Sequence, residues 1–340
     1  MPNVRRVAIA CQGGGSHAAF AAGLLHRLLG AERRARFELV ALSGTSGGAI
    51  CAALAWRGLV ASGPDEAAGR LRAFWTGLEV RGFIESVTNF WGVWFARFPV
   101  VVEVSPYSYE PIAETTLRAL LSTHLELESL TPDPARRAHP KLLIGATDVL
   151  DGERVIFEGE ALSYDDVIAS AAVPPLFRAV DAEGRRCWDG LFTTNPPIRE
   201  FTDLEEPPDE IWVIQINPQR RKAEPRTTSD IVDRRNELAG NLSLGQELFF
   251  LEKINELRAA HPSLATQYRH IQVRVVELAG AAPLDYPSKL DRRPELIEHL
   301  FALGQERAEW FFDARSEWPR PSSVPAHSVV ASKPQRTAER

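Results

Sequence analysis

Twice near its N-terminus the chain runs from an apolar stretch through a glycine-rich turn into a helical pattern, and this repetition constrains the fold more than any other feature. Val4 to Cys11 reads as a buried strand, Gly13-Gly14-Gly15 as the turn, and the segment from about His17 to Leu29 as a helix. Phe37 to Leu42 is a second apolar run, followed by Ser43-Gly44-Thr45-Ser46-Gly47-Gly48 and an apolar helix from Ala49 to Trp56. Successive strand–helix units build parallel strands, because a parallel neighbour needs a crossover and the crossover helix must cover a face of the sheet. The expected fold class is α/β, a three-layer α/β/α arrangement with a mainly parallel central sheet.

The later chain extends this reading. Residues 64–125 read as helical or irregular. Lys141 to Thr147 and Arg154 to Phe157 read as strands joined by a hairpin turn at Asp151-Gly152. Tyr164 to Ala171 is a helix stopped by Pro174-Pro175, Arg186 to Trp188 a short strand ending at Asp189-Gly190, and Ile211 to Ile216 a central strand. A long helical pattern covers about Thr228 to Ala259, followed by a strand from His270 to Glu277 and a last helix from Pro294 to Asp313. A chain of 340 residues can bury one large core. We expect one domain over 1–317, with its motifs in 5–217 and a helical C-terminal part in 228–317. From 318 to 340 the run of Pro, Ser, Arg and Lys cannot bury enough apolar surface to order itself, so it reads as a disordered tail.

Composition excludes several classes. A net charge of −6 argues against a broad phosphate-binding surface, so nucleic acid is not an expected partner. The three cysteines, Cys11, Cys51 and Cys187, have neither close pairing nor zinc-type spacing, so no disulfide framework and no metal site is expected. No apolar run is long enough to span a bilayer, and the N-terminal apolar run is a first strand and not a signal peptide. The expected location is cytoplasmic, with peripheral membrane contact as the one association the sequence suggests.

Gly44-Thr45-Ser46-Gly47-Gly48 fits G-x-S-x-G between a strand and a helix, which is the setting a nucleophile elbow requires. Gly44 and Gly48 are needed because side chains would collide across so sharp a turn, and the helix that follows points its N-terminal dipole at Ser46. A serine hydroxyl also needs a base and donors for the oxyanion. Gly13, Gly14 and Gly15 can offer uncovered N–H groups on a strand expected to lie beside the one carrying Ser46. The same glycines fit a loose dinucleotide fingerprint, but Ser43-Gly44 stands where that fingerprint wants an acidic residue, and no lysine follows as a phosphate loop would require. For the base, His261, His270 and His299 lie late enough for an ordinary triad, yet only two strands precede Ser46 and no such histidine sits in a glycine-marked loop. Asp189-Gly190 ends a strand, unlike Asp151-Gly152 in its hairpin, and reads either as a functional acid or as a plain turn.

Taken together these segments resemble the patatin-like phospholipase family. The likeness is carried by Gln12-Gly13-Gly14-Gly15-Ser16-His17-Ala18-Ala19-Phe20, by Gly44-Thr45-Ser46-Gly47-Gly48-Ala49, and by Asp189-Gly190 within Trp188 to Pro197. Gly145-Ala146-Thr147-Asp148 and Ala169 to Phe177 support it. The resemblance implies a patatin-like fold and a Ser-Asp dyad without histidine: Ser46 as nucleophile, Asp189 as base flanked by Gly190, and Gly13, Gly14 and Gly15 as the oxyanion hole. It implies no cofactor. His17 and Ala18 depart from the family's usual basic residue and glycine, and Leu191 stands where a small residue is usual.

The family makes lipid or acyl esters the expected substrate, cleaved through an acyl-enzyme. An acyltransferase or thioesterase would use the same dyad, and a catalytically silent lipid-binding protein is the other alternative. Phe90, Trp91, Trp94 and Phe95 lie in the most aromatic stretch of the chain and are candidates for an acyl channel, with ordinary core packing as the competing reading. Oligomeric state and head-group preference leave no mark in the sequence.

Overall fold

The computed structural model describes residues 4–34, 36–79, 105–108, 110, 112–130, 140–174, 176–221, 223–278, 284–285 and 287–314. The chain opens with β1 (Arg5–Cys11), a 3-10 turn, α1 (Ala19–Leu28), β2 (Phe37–Thr45), α2 (Gly47–Ala61) and α3 (Pro64–Leu78). After α4 (Ile112–Leu125) come β3 (Lys141–Asp148), β4 (Arg154–Glu158), α5 (Tyr164–Ser170), β5 (Val180–Ala182) and β6 (Arg185–Asp189). The last elements are β7 (Glu210–Gln215), the 33-residue α6 (Thr228–Ala260), β8 (Gln272–Glu277) and α7 (Pro294–Ala314). Phe90, Trp91, Trp94 and Phe95, and the expected tail over 318–340, lie outside the described residues.

The strands form one eight-stranded sheet in which β3, β2, β1, β7 and β8 run parallel in that order, as the repeated units predict. Alternation sends Val7, Ile9 and Cys11 to one face of β1 and Ala8 and Ala10 to the other, and both sets are fully buried. Helices cover both faces, which is why these strands read as continuous apolar runs. The larger core packs α1, α2, α3 and α7 on the first face, and Leu244 and Leu251 of α6 join Ile198 and Phe201 on the second. β8 pairs with β7 in register, so the C-terminal part contributes a strand to the sheet as well as helices. No helix among the described residues is long and apolar enough to cross a membrane.

One irregularity of the sheet positions the site. Residues 143–145 pair with both β2 and β4, and residues 146–147 pair with both β4 and β6. A strand has two edges, so β4 lies along one edge of β3 while β2 and β6 meet end to end along the other. Thr45 pairs with Gly145 and Asp189 with the next residue, Ala146. The turn that leaves β2 at Ser46 therefore comes out beside the end of β6 at Asp189. The strand β5, which pairs with β6, is too short for its pattern to have been read in the sequence.

Candidate active site

Ser46 sits between β2 and α2 with φ 56° and ψ −129°, a backbone conformation that a non-glycine residue holds only under constraint. Its N–H donates to the Ser170 carbonyl at 3.1 Å and to Ser170 Oγ at 3.0 Å, and Ser170 Oγ donates to the Gly145 carbonyl at 2.6 Å. A Cβ on Gly44 would overlap the Gly48 carbonyl, and one on Gly48 would overlap the Cys11 carbonyl. The corner therefore closes only with glycine at both places. The side chain of Ser46 stands at the N-terminus of the 15-residue α2, where the helix dipole favours negative charge.

Asp189 ends β6 and is 1% exposed. Its Oδ1 accepts the Leu191 N–H at 2.7 Å, its main-chain N–H donates to the Ala172 carbonyl, and its carbonyl accepts Thr147 Oγ1 at 2.9 Å. Gly190 begins the 3-10 turn (Gly190–Phe192) behind it. Burial pushes the Asp189 carboxyl up to about 7, against a lowering contribution from the Ser46 hydroxyl, the Leu191 N–H and the charge of Lys289. Oδ2 has no partner of normal hydrogen-bond geometry among the described residues.

The glycine loop closes over this corner. A Cβ on Gly13 would lie 2.8 Å from the Thr45 carbonyl oxygen and 2.9 Å from Ser46 Cβ, so the loop touches the serine. The Gly13 N–H donates to Asn195 Oδ1 at 2.7 Å and is thereby committed within the protein. The Gly14 carbonyl accepts the His17 N–H, and the Gly15 backbone lies against Gly47, the residue after Ser46. His17 is buried, its Nε2 is 2.8 Å from Ser288 Oγ, and burial followed by the charge of Lys289 lowers it to about 3. His261, His270 and His299 are all exposed, unlike the buried Asp189.

A sequence model of the family described as Patatin-like phospholipase matches residues 9–202. That span holds the glycine loop, Ser46 and Asp189. The chain belongs to the patatin-like phospholipase family. Among solved structures the chain is similar to VipD from Legionella pneumophila, with 13% identity and a TM-score of 0.38, over 92% of this chain and 67% of that one. No curated protein sequence matches the chain.

In this member of the family Gln12 and Asn195, inside the matched span, tie the corner to residues beyond it, and sequence reasoning missed these contacts as well as Lys289. Gln12 uses its whole amide: Oε1 accepts the N–H groups of Ile216 and Asn217, both at 2.8 Å, while Nε2 donates to the Gly240 carbonyl and Asn241 Oδ1. Asn195 accepts from Gly13 and donates through Nδ2 to the Gly240 carbonyl at 2.9 Å. Lys289 Nζ donates to Asn217 Oδ1 at 2.6 Å, and its amine is lowered by burial against the raising charges of Asp233, Glu237 and Asp189. Gln12 and Asn195 stand inside the quoted motifs, so a count of their buried amide groups was the available signal. Lys289 carries no local signature. Leu191, which stands where the family's usual residue is small, has its Cδ1 against Gly240 of α6.

Proposed function

We propose that this member of the family is a serine hydrolase of lipid acyl esters in which Ser46 is the nucleophile and Asp189 its base. The observation that carries the reading is the juxtaposition of a strained, helix-capping serine with a buried carboxylate whose Oδ2 has no hydrogen-bond partner among the described residues. Asp189 Oδ2 takes the hydroxyl proton as Oγ attacks the ester carbonyl carbon. The carbonyl oxygen becomes an oxyanion, received by the N–H groups of Gly14 and Gly15; Gly13, bound to Asn195, holds the loop in place instead. The tetrahedral intermediate collapses, the proton passes from Asp189 to the departing alcohol, and an acyl group remains on Ser46. Asp189 then deprotonates a water that attacks the acyl carbon; as this second tetrahedral intermediate collapses, Asp189 returns the proton to the departing Ser46 Oγ, and the carboxylic acid leaves.

A carboxylate at its ordinary pKa is a weak base, and the upward shift of Asp189 to about 7 brings it into the range where proton transfer from serine is efficient. His17, lowered to about 3 and bonded to Ser288, is a poor competitor for the role. The test is turnover of p-nitrophenyl esters of graded chain length alongside phospholipid vesicles. Asp189→Asn is expected to keep the fold and lower kcat/KM by roughly two to four orders of magnitude. Wild-type turnover in that variant would remove Asp189 from the mechanism.

A further inference from the structure

The long helix α6 is turned inside out. Its buried positions are mostly polar, Asp233, Glu237, Asn241, Ser243 and Glu247 among them, while Ile231, Leu238, Leu242, Phe249, Phe250 and Leu257 are exposed. The inner face is matched group by group. Arg221 grips Glu237 through two bonds of 2.8 Å and also Asp233, Arg154 reaches Glu247 at 2.9 Å, and Gln12 and Asn195 bind Asn241 and the Gly240 carbonyl. That polar inner face fixes which side of α6 faces the sheet. The exposed residues recur at helical spacing and form a stripe that spans roughly 39 Å at the rise of an α-helix. Leu242 is 63% exposed and Phe249 61%, which a helix in plain water does not favour.

We propose that this outer face of α6 is the surface by which the protein lies on a phospholipid bilayer, with Ile231, Leu238, Leu242, Phe249 and Phe250 entering the interface. The choice of lipid as occupant rests on the lipid-ester reading above and on two observations. First, the exposed positions from Ile231 to Lys253 carry Arg235 and Lys253 and no carboxylate, in a chain of net charge −6; of the exposed acids that flank them, Asp230 accepts the Thr227 N–H at the helix start and Glu256 pairs with Lys253. An apolar stripe edged by cations suits an anionic lipid surface. Second, α6 reaches the site: its buried Gly240, on the side of the helix opposite the stripe, touches Leu191 beside Asp189, and Phe192 in the same turn is 51% exposed, an apolar group at the site itself. A second copy fits less well. Antiparallel pairing about Gly245 would bring Arg235 close to the other copy's Lys253, and parallel pairing would set Arg235 against itself.

The experiment is co-sedimentation of the full chain with vesicles of phosphatidylcholine and of phosphatidylcholine mixed with phosphatidylglycerol. Wild type and Ser46→Ala are expected to bind equally and more strongly to the mixed vesicles. The double variant Phe249→Ser/Phe250→Ser, and independently Leu242→Gln, should lower partitioning roughly tenfold or more, with p-nitrophenyl butyrate hydrolysis and Tm close to wild type. Arg235→Glu should weaken binding to the mixed vesicles alone. Absence of vesicle binding by wild type, unchanged binding by both apolar variants, or a wild-type dimer that the double variant splits into monomers would overturn the proposal. Vesicle binding lost in the double variant, in a protein that hydrolyses no ester, would sink the catalytic reading and leave the surface standing.

Discussion

At Asp189 the carboxyl is buried and titrates near 7, because desolvation outweighs the hydrogen bonds of Ser46 and Leu191 and the charge of Lys289. A base must be deprotonated to work, so kcat/KM is expected to rise with pH through about 7. Stability runs the other way. Between the ordinary 3.8 and about 7 the folded state holds a proton that the unfolded state has released, so the proton's contribution fades as pH rises and is gone above about 7. Asp189→Asn removes that titration, and the variant should exceed wild type in Tm at pH 8, with the gain shrinking toward pH 5. The slope corresponds to about 1.4 kcal/mol per pH unit as an upper bound. Lys289→Met deletes a cation that lowers Asp189, so the pH–rate limb should move upward, with activity at pH 7 reduced and largely recovered at pH 9. As candidates, Ser46 was legible from the glycine-marked turn between a strand and a helix, whereas Asp189-Gly190 read equally as a plain turn and was singled out by the family resemblance. Their meeting was not legible, because it depends on β2 and β6 sharing one edge of β3.

Among the elements, α6 depends most on specific polar contacts. It docks on the second face through few apolar residues, and Gln12 ties it to both the glycine loop and the end of β7. Gln12→Leu leaves the N–H groups of Ile216 and Asn217 buried without their acceptor, each such group costing about 1–3 kcal/mol. The variant should show a lower midpoint in urea and faster amide exchange at Ile216 and Asn217; wild-type stability would mean that water replaces the amide. The length and helicity of α6 were legible from its sequence. Its orientation was not, since the usual expectation of an apolar side turned inward fails where the half-buried Arg221 and Arg154 supply counter-charges to the helix's buried acids. The first two strand–helix units were legible throughout, because glycine turns and apolar runs are local signals.

Across the whole molecule the sheet also carries a buried ion cluster far from the site in sequence logic. Glu210, at the start of β7, accepts from Arg274 Nε and Trp212 Nε1 and pairs with Arg5. Burial alone would raise this carboxyl, but the hydrogen bonds and charge of Arg274, with Trp212 and Arg5, hold it below its ordinary 4.5. Its contribution to stability is thus present above 4.5 and lost as pH falls through the lower folded value. Arg274→Met leaves Glu210 with Arg5 and Trp212 but without its buried counter-charge, with an expected loss of at most about 3–5 kcal/mol in urea unfolding at pH 7. The central claim, that Ser46 is a nucleophile activated by Asp189, is tested most directly by intact-protein mass after reaction with a fluorophosphonate. The account predicts one adduct on wild type, none on Ser46→Ala, and labelling of Asp189→Asn slowed by orders of magnitude. An unlabelled wild type, or equal labelling of Ser46→Ala, would contradict it.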